Sequence, residues 1–191
     1  MKIIDLTCPL NNHMPLHPIA KDIEIIRKYT LENDGYNITQ IKIFTHSGTH
    51  IDAPFHMIKN GKKLDEIPLE NFFGNAAVLN VPKGELGEIT SKELEEALGK
   101  SKLKVYPGET VLINTGWGKY YVEEIKDSIY LAEKHPGLLM DAAEWFIEKI
   151  KLIGIDVFSI RHPKLPPKVT VLNLKEYIRL FQVITYLLLN N

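Results

Sequence analysis

Alternating apolar and polar positions predict most of the strands in this chain. The alternation is clearest over residues 36–44, where apolar side chains fall on both faces of the predicted strand. A strand that is apolar on both faces is expected to be covered on both sides. Shorter apolar runs predict further strands at residues 2–6, 23–29, 75–81, 110–114 and 152–156.

Two other segments follow the helical period instead. Residues 90–98 begin with Thr90, and Glu93 stands three positions later, which is the capping-box pattern. Residues 139–150 carry an apolar stripe typical of an amphipathic helix. The interleaving of strands and helices indicates an α/β class with a mixed sheet. Strands and helices do not alternate regularly enough to predict a doubly wound parallel sheet.

Composition and charge narrow the functional classes. The 191 residues suit one domain spanning residues 1–191. A net charge of -1 gives no global attraction to nucleic acid or to an anionic membrane. We expect no leader peptide and no membrane span, because no window approaches the ~20 apolar residues that a span needs. The single cysteine, Cys8, fits a cytoplasmic location and is interpreted as a buried small residue.

The clearest candidate chemistry lies in residues 45–57. Gly48 and Pro54 interrupt any helix there, so the segment is expected to form a loop that leaves the end of a strand. Three of the seven histidines fall within eleven residues, and Asp52 lies among them. The full run, residues 46–56, reads HSGTHIDAPFH.

The spacing in this run predicts a metal site. Alternate residues of an extended chain face the same side, so His46, His50 and Asp52 can converge on one point. His56 shares their parity beyond the bend. Imidazole nitrogens and a carboxylate oxygen suit zinc, manganese or a similar ion. The alternative is a histidine-rich surface loop that holds no ion.

The donor set favours a catalytic site over a structural one. Structural zinc is usually enclosed by four strong ligands, often cysteines, whereas an aspartate oxygen favours an open site with bound water. A bound divalent ion lowers the pKa of its water to about 7 and polarises a carbonyl. A neighbouring histidine then transfers protons near neutral pH.

Residues 46–56 resemble the signature of the metal-dependent cyclase/hydrolase family, which includes bacterial kynurenine formamidases and isatin hydrolases. Histidine, glycine-threonine-histidine, aspartate, proline and histidine stand in matching order and spacing. The resemblance covers roughly residues 1–160. Other segments also resemble the family, at residues 3–6, 14–15, 114–117, 135–138 and 153–156.

The resemblance implies a swivelling β/β/α-type fold, a homo-oligomer (dimer or tetramer) and an arylformamidase-like hydrolysis of an amide or cyclic amide C–N bond. It implies that His46, His50 and Asp52 hold a divalent ion, Zn²⁺ before Mn²⁺, and that the aspartate can bridge to a second ion. It also implies that His56 donates and accepts the proton. The number of ions, one or two per chain, stays open.

Two residues are candidates for contact with a small-molecule amide substrate. His17 stands where relatives often place an aromatic side chain that touches substrate. Trp117 follows Thr115-Gly116 at the end of a predicted strand, so it lines the pocket or packs in the core.

The chain departs from the family pattern after about residue 160. Family members carry a further histidine and then a glutamate about a dozen residues later, and both complete the metal site. After Asp156 this chain has His162 and Glu176 as its only histidine and its only acidic residue, in a proline-interrupted segment. The alternative function is therefore a metal- or ligand-binding member with impaired catalysis.

Overall fold

The computed structural model describes residues 3–20, 22–124, 126–147 and 150–165, together with the backbone of residues 181–183. Strands in this part of the chain are β1 Glu24–Tyr29, β2 Ile38–Lys42, β3 His50–Asp52, β4 Ala76–Asn80, β5 Glu88–Ile89, β6 Glu109–Asn114, β7 Gly137–Leu138, β8 Ile150–Ile155 and β9 Phe181–Val183. Its α-helices are α1 Leu31–Asp34, α2 Ser91–Ser101, α3 Lys119–Val122, α4 Ser128–Lys134 and α5 Met140–Phe146. Single 3₁₀ turns cover Pro54–His56, Leu64–Glu66 and Leu69–Asn71.

A five-stranded sheet in the order β3-β9-β8-β6-β4 forms the centre of the fold. The strands from β9 to β4 run parallel, and β3 pairs antiparallel with β9 at one edge. Helices α2 and α5 pack against each other, and α2 also packs against β4. Parallel and antiparallel strands interleaved with helices confirm the mixed α/β class.

The parallel strands supply much of the apolar core: β6 and β8 bury side chains on both faces, whereas β4 buries the face that carries Ala77 and Leu79. Leu79, Ile113 and Ile155 come from three different strands, and each is fully buried. Since parallel strands end at the same edge of a sheet, the chain beyond β6 and the chain beyond β8 meet there. That edge brings Thr115 and Asp156 into contact.

The prediction that residues 36–44 would be covered on both sides is wrong. Among the described residues, strand β2 pairs only with β1, as a two-stranded antiparallel sheet, and all five residues of β2 are exposed. Ile38 and Ile41 keep about half of their surface in solvent. The alternation therefore identified a strand, but it did not reveal whether another element covers it.

Helix α2 confirms its predicted start, with Thr90 Oγ1 accepting from the Glu93 amide and Glu93 accepting from the Thr90 amide. The helix predicted over residues 139–150 is shorter, because Ile150 already belongs to β8. Residues 3–6 form no strand. Cys8 is buried as expected. Within the described residues, no helix has the length and apolar character needed to cross a membrane. That residues 1–191 form one domain stays a prediction.

Candidate metal centre

Three side chains of the histidine-rich segment converge at the edge of the central sheet. His46 Nδ1 lies 2.7 Å from Asp52 Oδ1, and His50 Nε2 lies 3.6 Å from the same oxygen. The two imidazole nitrogens are 3.3 Å apart. All of these atoms lie within 4.8 Å of one another, which is the geometry of a candidate metal centre.

The local backbone explains how these side chains meet. His50 and Asp52 are two residues apart on β3, so their side chains leave the same face of the strand. His46 reaches the cluster from the preceding loop, which turns at Gly48 with a φ of +63°. A Cβ at Gly48 would lie only 3.1 Å from side-chain atoms of both Leu10 and Met14, so a side chain there would require both to shift by a few tenths of an ångström.

A hydrogen bond fixes which nitrogen of His50 faces the cluster. His50 Nδ1 lies 2.9 Å from the Gly48 carbonyl oxygen, and because a carbonyl only accepts, Nδ1 carries the proton. When the ring is neutral, the lone pair of Nε2 therefore points toward Asp52. A backbone carbonyl that sets the tautomer in this way is the usual support of a histidine ligand.

The donor set fits a divalent cation. If His46 Nδ1–H donates to Asp52 Oδ1, the Nε2 lone pair of a neutral His50 ring still faces that carboxylate oxygen at 3.6 Å. Both of these groups are hydrogen-bond acceptors, so they repel each other. Their side chains keep only 15% and 12% of their surface exposed, which limits compensation by water. A cation bound between these atoms would replace that repulsion with attraction.

His56 stands beside this cluster on the 3₁₀ turn that follows β3. Its ring centroid is 4.1 Å from that of His46, although part of the ring remains in solvent. Partial burial holds the pKa of His56 below its usual value; Asp52 opposes this shift, and the rings of His46 and His50 add to it. A neutral imidazole at this place can accept a proton.

Thr49 ties the cluster to the N-terminal segment. Its hydroxyl oxygen accepts from the Cys8 amide at 2.9 Å and donates to the Leu6 carbonyl at 3.5 Å. Ser47 is also buried, and its hydroxyl has no hydrogen-bond partner among the described residues. The hydroxyl of Thr49 thus holds the chain just after Gly48 against residues 6–8.

Of the two positions expected for Trp117, lining the pocket or packing in the core, the structure shows the core. Its indole is 1% exposed and packs parallel to the Tyr130 ring and edge-on to the Tyr120 ring, with centroid distances of 6.0 and 4.8 Å. In this structure the ring offers no surface to a ligand. Contact between Trp117 and substrate therefore gains no support from its position.

His17 lines a cavity and is near enough to His46 for the charges of the two rings to interact. Its ring is half-buried, meets the Phe158 ring edge-on at 5.8 Å, and lines a cavity of about 380 Å³ together with His135 and Arg161. Burial lowers the pKa of His17, and the nearby His46 lowers it further. Contact between His17 and substrate stays a prediction, in a position open to small molecules.

His162 and Glu176 are the downstream candidates for the metal site. His162 is buried away from the cluster: its Nε2 lies 3.0 Å from the Leu86 carbonyl oxygen, and its Nδ1 accepts from the Lys164 amide. Neither nitrogen is left for the ion. Glu176 lies outside the described residues.

Sequence reasoning missed the role of Asp156. Its carboxylate is fully buried and accepts from the Thr115 amide, the Thr115 hydroxyl and the Gly118 amide at 2.9, 2.7 and 3.0 Å. Burial raises the pKa of Asp156, and these hydrogen bonds oppose the shift. The available signal was a carboxylate at the end of an apolar strand, which marks either a site or a buried anchor.

A mixed sheet whose edge strand and the loop before it bring two imidazoles and a carboxylate together defines the class: an α/β protein with a candidate divalent-metal centre. The Cyclase family model matches residues 4–162, which is most of the chain. The chain belongs to the Cyclase family, as the resemblance of residues 46–56 predicted.

Individual relatives agree with this assignment. The chain is 34% identical over 160 residues to the kynurenine formamidase of Bacillus mycoides (strain KBAB4), a match that covers 82% of this chain and 69% of that protein. It is 33% identical over 162 residues to the kynurenine formamidase of Bacillus anthracis, covering 83% and 70%. The fold matches isatin hydrolase A from Labrenzia aggregata with a TM-score of 0.80 and 22% identity, covering 96% of this chain and 80% of that structure.

Proposed function

We propose that this protein is a metal-dependent hydrolase that cleaves the C–N bond of a small formamide, amide or cyclic amide. The observation that carries the proposal is the convergence of His46 Nδ1, His50 Nε2 and Asp52 Oδ1, with the His56 ring alongside. Similarity to kynurenine formamidases supports the amide bond as the target. This similarity favours hydrolysis over the alternative function, a metal- or ligand-binding member with impaired catalysis.

Each residue of the motif has a distinct part in this proposal. His46, His50 and Asp52 would hold the ion, with the His50 tautomer fixed by the Gly48 carbonyl. When bound, a divalent ion supplies a Lewis acid that lowers the pKa of water to about 7 and polarises a carbonyl. His56 accepts a proton from the attacking water and delivers it to the leaving nitrogen.

Several finer features belong to the proposal as well. The mixed nitrogen and oxygen donors favour Zn²⁺, with Mn²⁺ as the second choice. The exposed apolar side chains of β1 and β2 fit a homo-oligomer. The single cysteine fits the cytoplasm. His17, which reaches the cavity beside the cluster, is the candidate for substrate contact.

A substitution at His56 tests the proposed proton transfer. His56→Ala should lower turnover about 10²- to 10⁴-fold on a formamide, imide or lactam that the wild type hydrolyses, because a positioned acid–base group contributes about that much. Bound metal, measured by elemental analysis, should equal that of the wild type.

His13→Ala is the matched control, since it removes a histidine from an exposed loop outside the cluster. It should keep full turnover. Wild-type turnover in His56→Ala would overturn the role of His56, and loss of metal there would make His56 a ligand instead.

A further inference from the structure

The cavity beside the metal cluster has a polar lining, of which the proposed hydrolysis uses only His17. Its volume is about 380 Å³, within the size range of small-molecule sites. One wall is apolar and includes Leu86 and Ala132. Its polar lining comes from His17, Glu133, His135, Ser159, Arg161 and Lys164.

The backbone that carries Arg161 is held firmly in place. Leu138 and Arg161 form an isolated parallel bridge, in which the Leu138 amide donates to the Ile160 carbonyl and the His162 amide donates to the Leu138 carbonyl. The approach is so close that a Cβ at Gly137 would lie 2.4 Å from the His162 nitrogen. The cavity wall is therefore built by close backbone packing around Arg161.

The guanidinium of Arg161 keeps unused donors. Nη1 donates to the carbonyls of His162 and Leu165. Across the described residues, Nε and Nη2 have no hydrogen-bond partner and the guanidinium has no carboxylate within ion-pair distance. A guanidinium carries five N–H donors in a planar fork that matches a carboxylate, so Nε and Nη2 of Arg161 can still bind one, as far as the described residues go.

The charges around Arg161 favour an anion. Lys164 adds a second positive charge, and Glu133 contributes one negative charge, so two cations face one carboxylate. Burial lowers the pKa of His135 to about 4 and is also the main cause lowering that of His17, so both rings are neutral at pH 7. The cavity is therefore net positive by one charge at neutral pH.

We propose that this cavity binds a small molecule bearing a carboxylate, which Arg161 grips through Nε and Nη2. Ser159 and Lys164 provide further donors on the same lining. Leu86 and Ala132 receive the apolar remainder of the ligand. This site is separate from the ion-binding atoms of the cluster, although His17 adjoins both.

Calorimetric titration with benzoate and with benzamide tests the proposal, because the two probes have similar shapes and differ in charge. The wild type should bind benzoate at least about tenfold more tightly than benzamide. Arg161→Met should weaken benzoate binding about ten- to a hundredfold, the effect of losing hydrogen bonds to a charged group. Glu133→Gln should tighten it severalfold, because a like charge is removed.

Arg27→Met is the matched control, since it removes an arginine from the exposed strand β1, and it should leave the Kd unchanged. Asp52→Ala should also retain benzoate binding, which separates the cavity from any ion and from the outcome of the hydrolysis assay. Equal affinity for the two probes would overturn the proposal, as would unchanged benzoate affinity in Arg161→Met.

If Arg161→Met does not fold, Lys164→Met tests the second cation of the cavity instead. This variant should also bind benzoate more weakly, with a larger Kd. Unchanged affinity in that variant would overturn the proposal. Competitive inhibition of hydrolysis by benzoate would indicate that the carboxylate belongs to the substrate, and noncompetitive inhibition would indicate a separate ligand. Either pattern supports a carboxylate site.

Discussion

Asp52 and Asp156 stand in two polar regions of the same sheet with opposite surroundings. Asp156 is fully buried, and three N–H and O–H donors from residues 115–118 saturate it. Asp52 lies at the edge, where its Oδ1 is 2.7 Å from His46 Nδ1 and 3.6 Å from His50 Nε2. Donors of the protein surround Asp156, whereas Asp52 has the His46 nitrogen on one side and the lone pair of a neutral His50 ring on the other.

Two histidines, His135 after helix α4 and His50 in the cluster, differ in the same way. His135 is buried, and its Nδ1 lies 2.6 Å from the Pro136 carbonyl oxygen. His50 also satisfies its Nδ1 through a carbonyl, but its Nε2 points into the cluster. A carboxylate whose oxygens accept from several N–H and O–H groups anchors a fold, whereas a carboxylate oxygen that faces an imidazole lone pair leaves a place for a cation.

The largest effect on stability is expected from Asp156. Asp156→Ala should lower the free energy of unfolding by about 4 kcal/mol, because buried donors of Thr115 and Gly118 lose their acceptor. Metal stoichiometry should not change. Urea denaturation measures the first quantity, with the exposed Asp65→Ala as control. A loss of unfolding free energy below about 1 kcal/mol would mean that the buried hydrogen bonds of Asp156 do not anchor the fold, which would contradict the contrast drawn with Asp52.

A comparable effect is expected from the acid titration of His135. Burial lowers its pKa from 6.5 to about 4, and His162, Arg161 and His17 add to this shift, while the Pro136 carbonyl opposes it. The stability that depends on neutral His135 is therefore complete above pH 6.5 and is lost as the pH falls toward 4, because the unfolded chain takes up the proton first.

The difference in unfolding free energy between pH 7 and pH 4 should thus be about 3 kcal/mol larger in the wild type than in His135→Gln. Comparing the variant with the wild type removes the contribution of carboxylates that titrate in the same range. Parallel pH profiles for the two proteins would show that His135 is not held neutral by burial.

A smaller effect is expected at Gly48, in the cluster region. Gly48→Ala should cost about 1–2 kcal/mol of stability, since it combines a positive φ with a Cβ that presses on Leu10 and Met14. It should also weaken metal affinity, because His46 and His50 flank the turn. Gly35→Ala is the control, for Gly35 has a φ of +78° and no atoms within 4 Å of an added Cβ.

Gly35→Ala should therefore cost about 1 kcal/mol, from backbone strain alone, and leave metal affinity unchanged. Thermal unfolding with isothermal zinc titration separates the two quantities. Equal metal affinity in Gly48→Ala and in the wild type would argue against a turn that positions the cluster.

The cluster was predictable from sequence because its geometry is local. His46, His50 and Asp52 lie within seven residues, so the two-residue period of an extended chain and one glycine turn suffice to bring them together. Helix α2 was predictable for the same reason, since Thr90 and Glu93 form its cap within a single turn.

Features that depend on distant partners could not be read in this way. Asp156 and Thr115 are 41 residues apart, and their contact requires the parallel pairing of β6 and β8. The exposure of β2 depends on which element covers it, and residue pattern carries no such information. The cavity joins His17 to Arg161 across most of the chain, so no motif marks it.

The most direct test of the central claim is the metal content of purified protein, by elemental analysis, for the wild type and Asp52→Ala. The account predicts at least one divalent ion per chain in the wild type and none in Asp52→Ala, with the metal-free proteins equally stable. The same metal content in both proteins, or no metal in either, would contradict it.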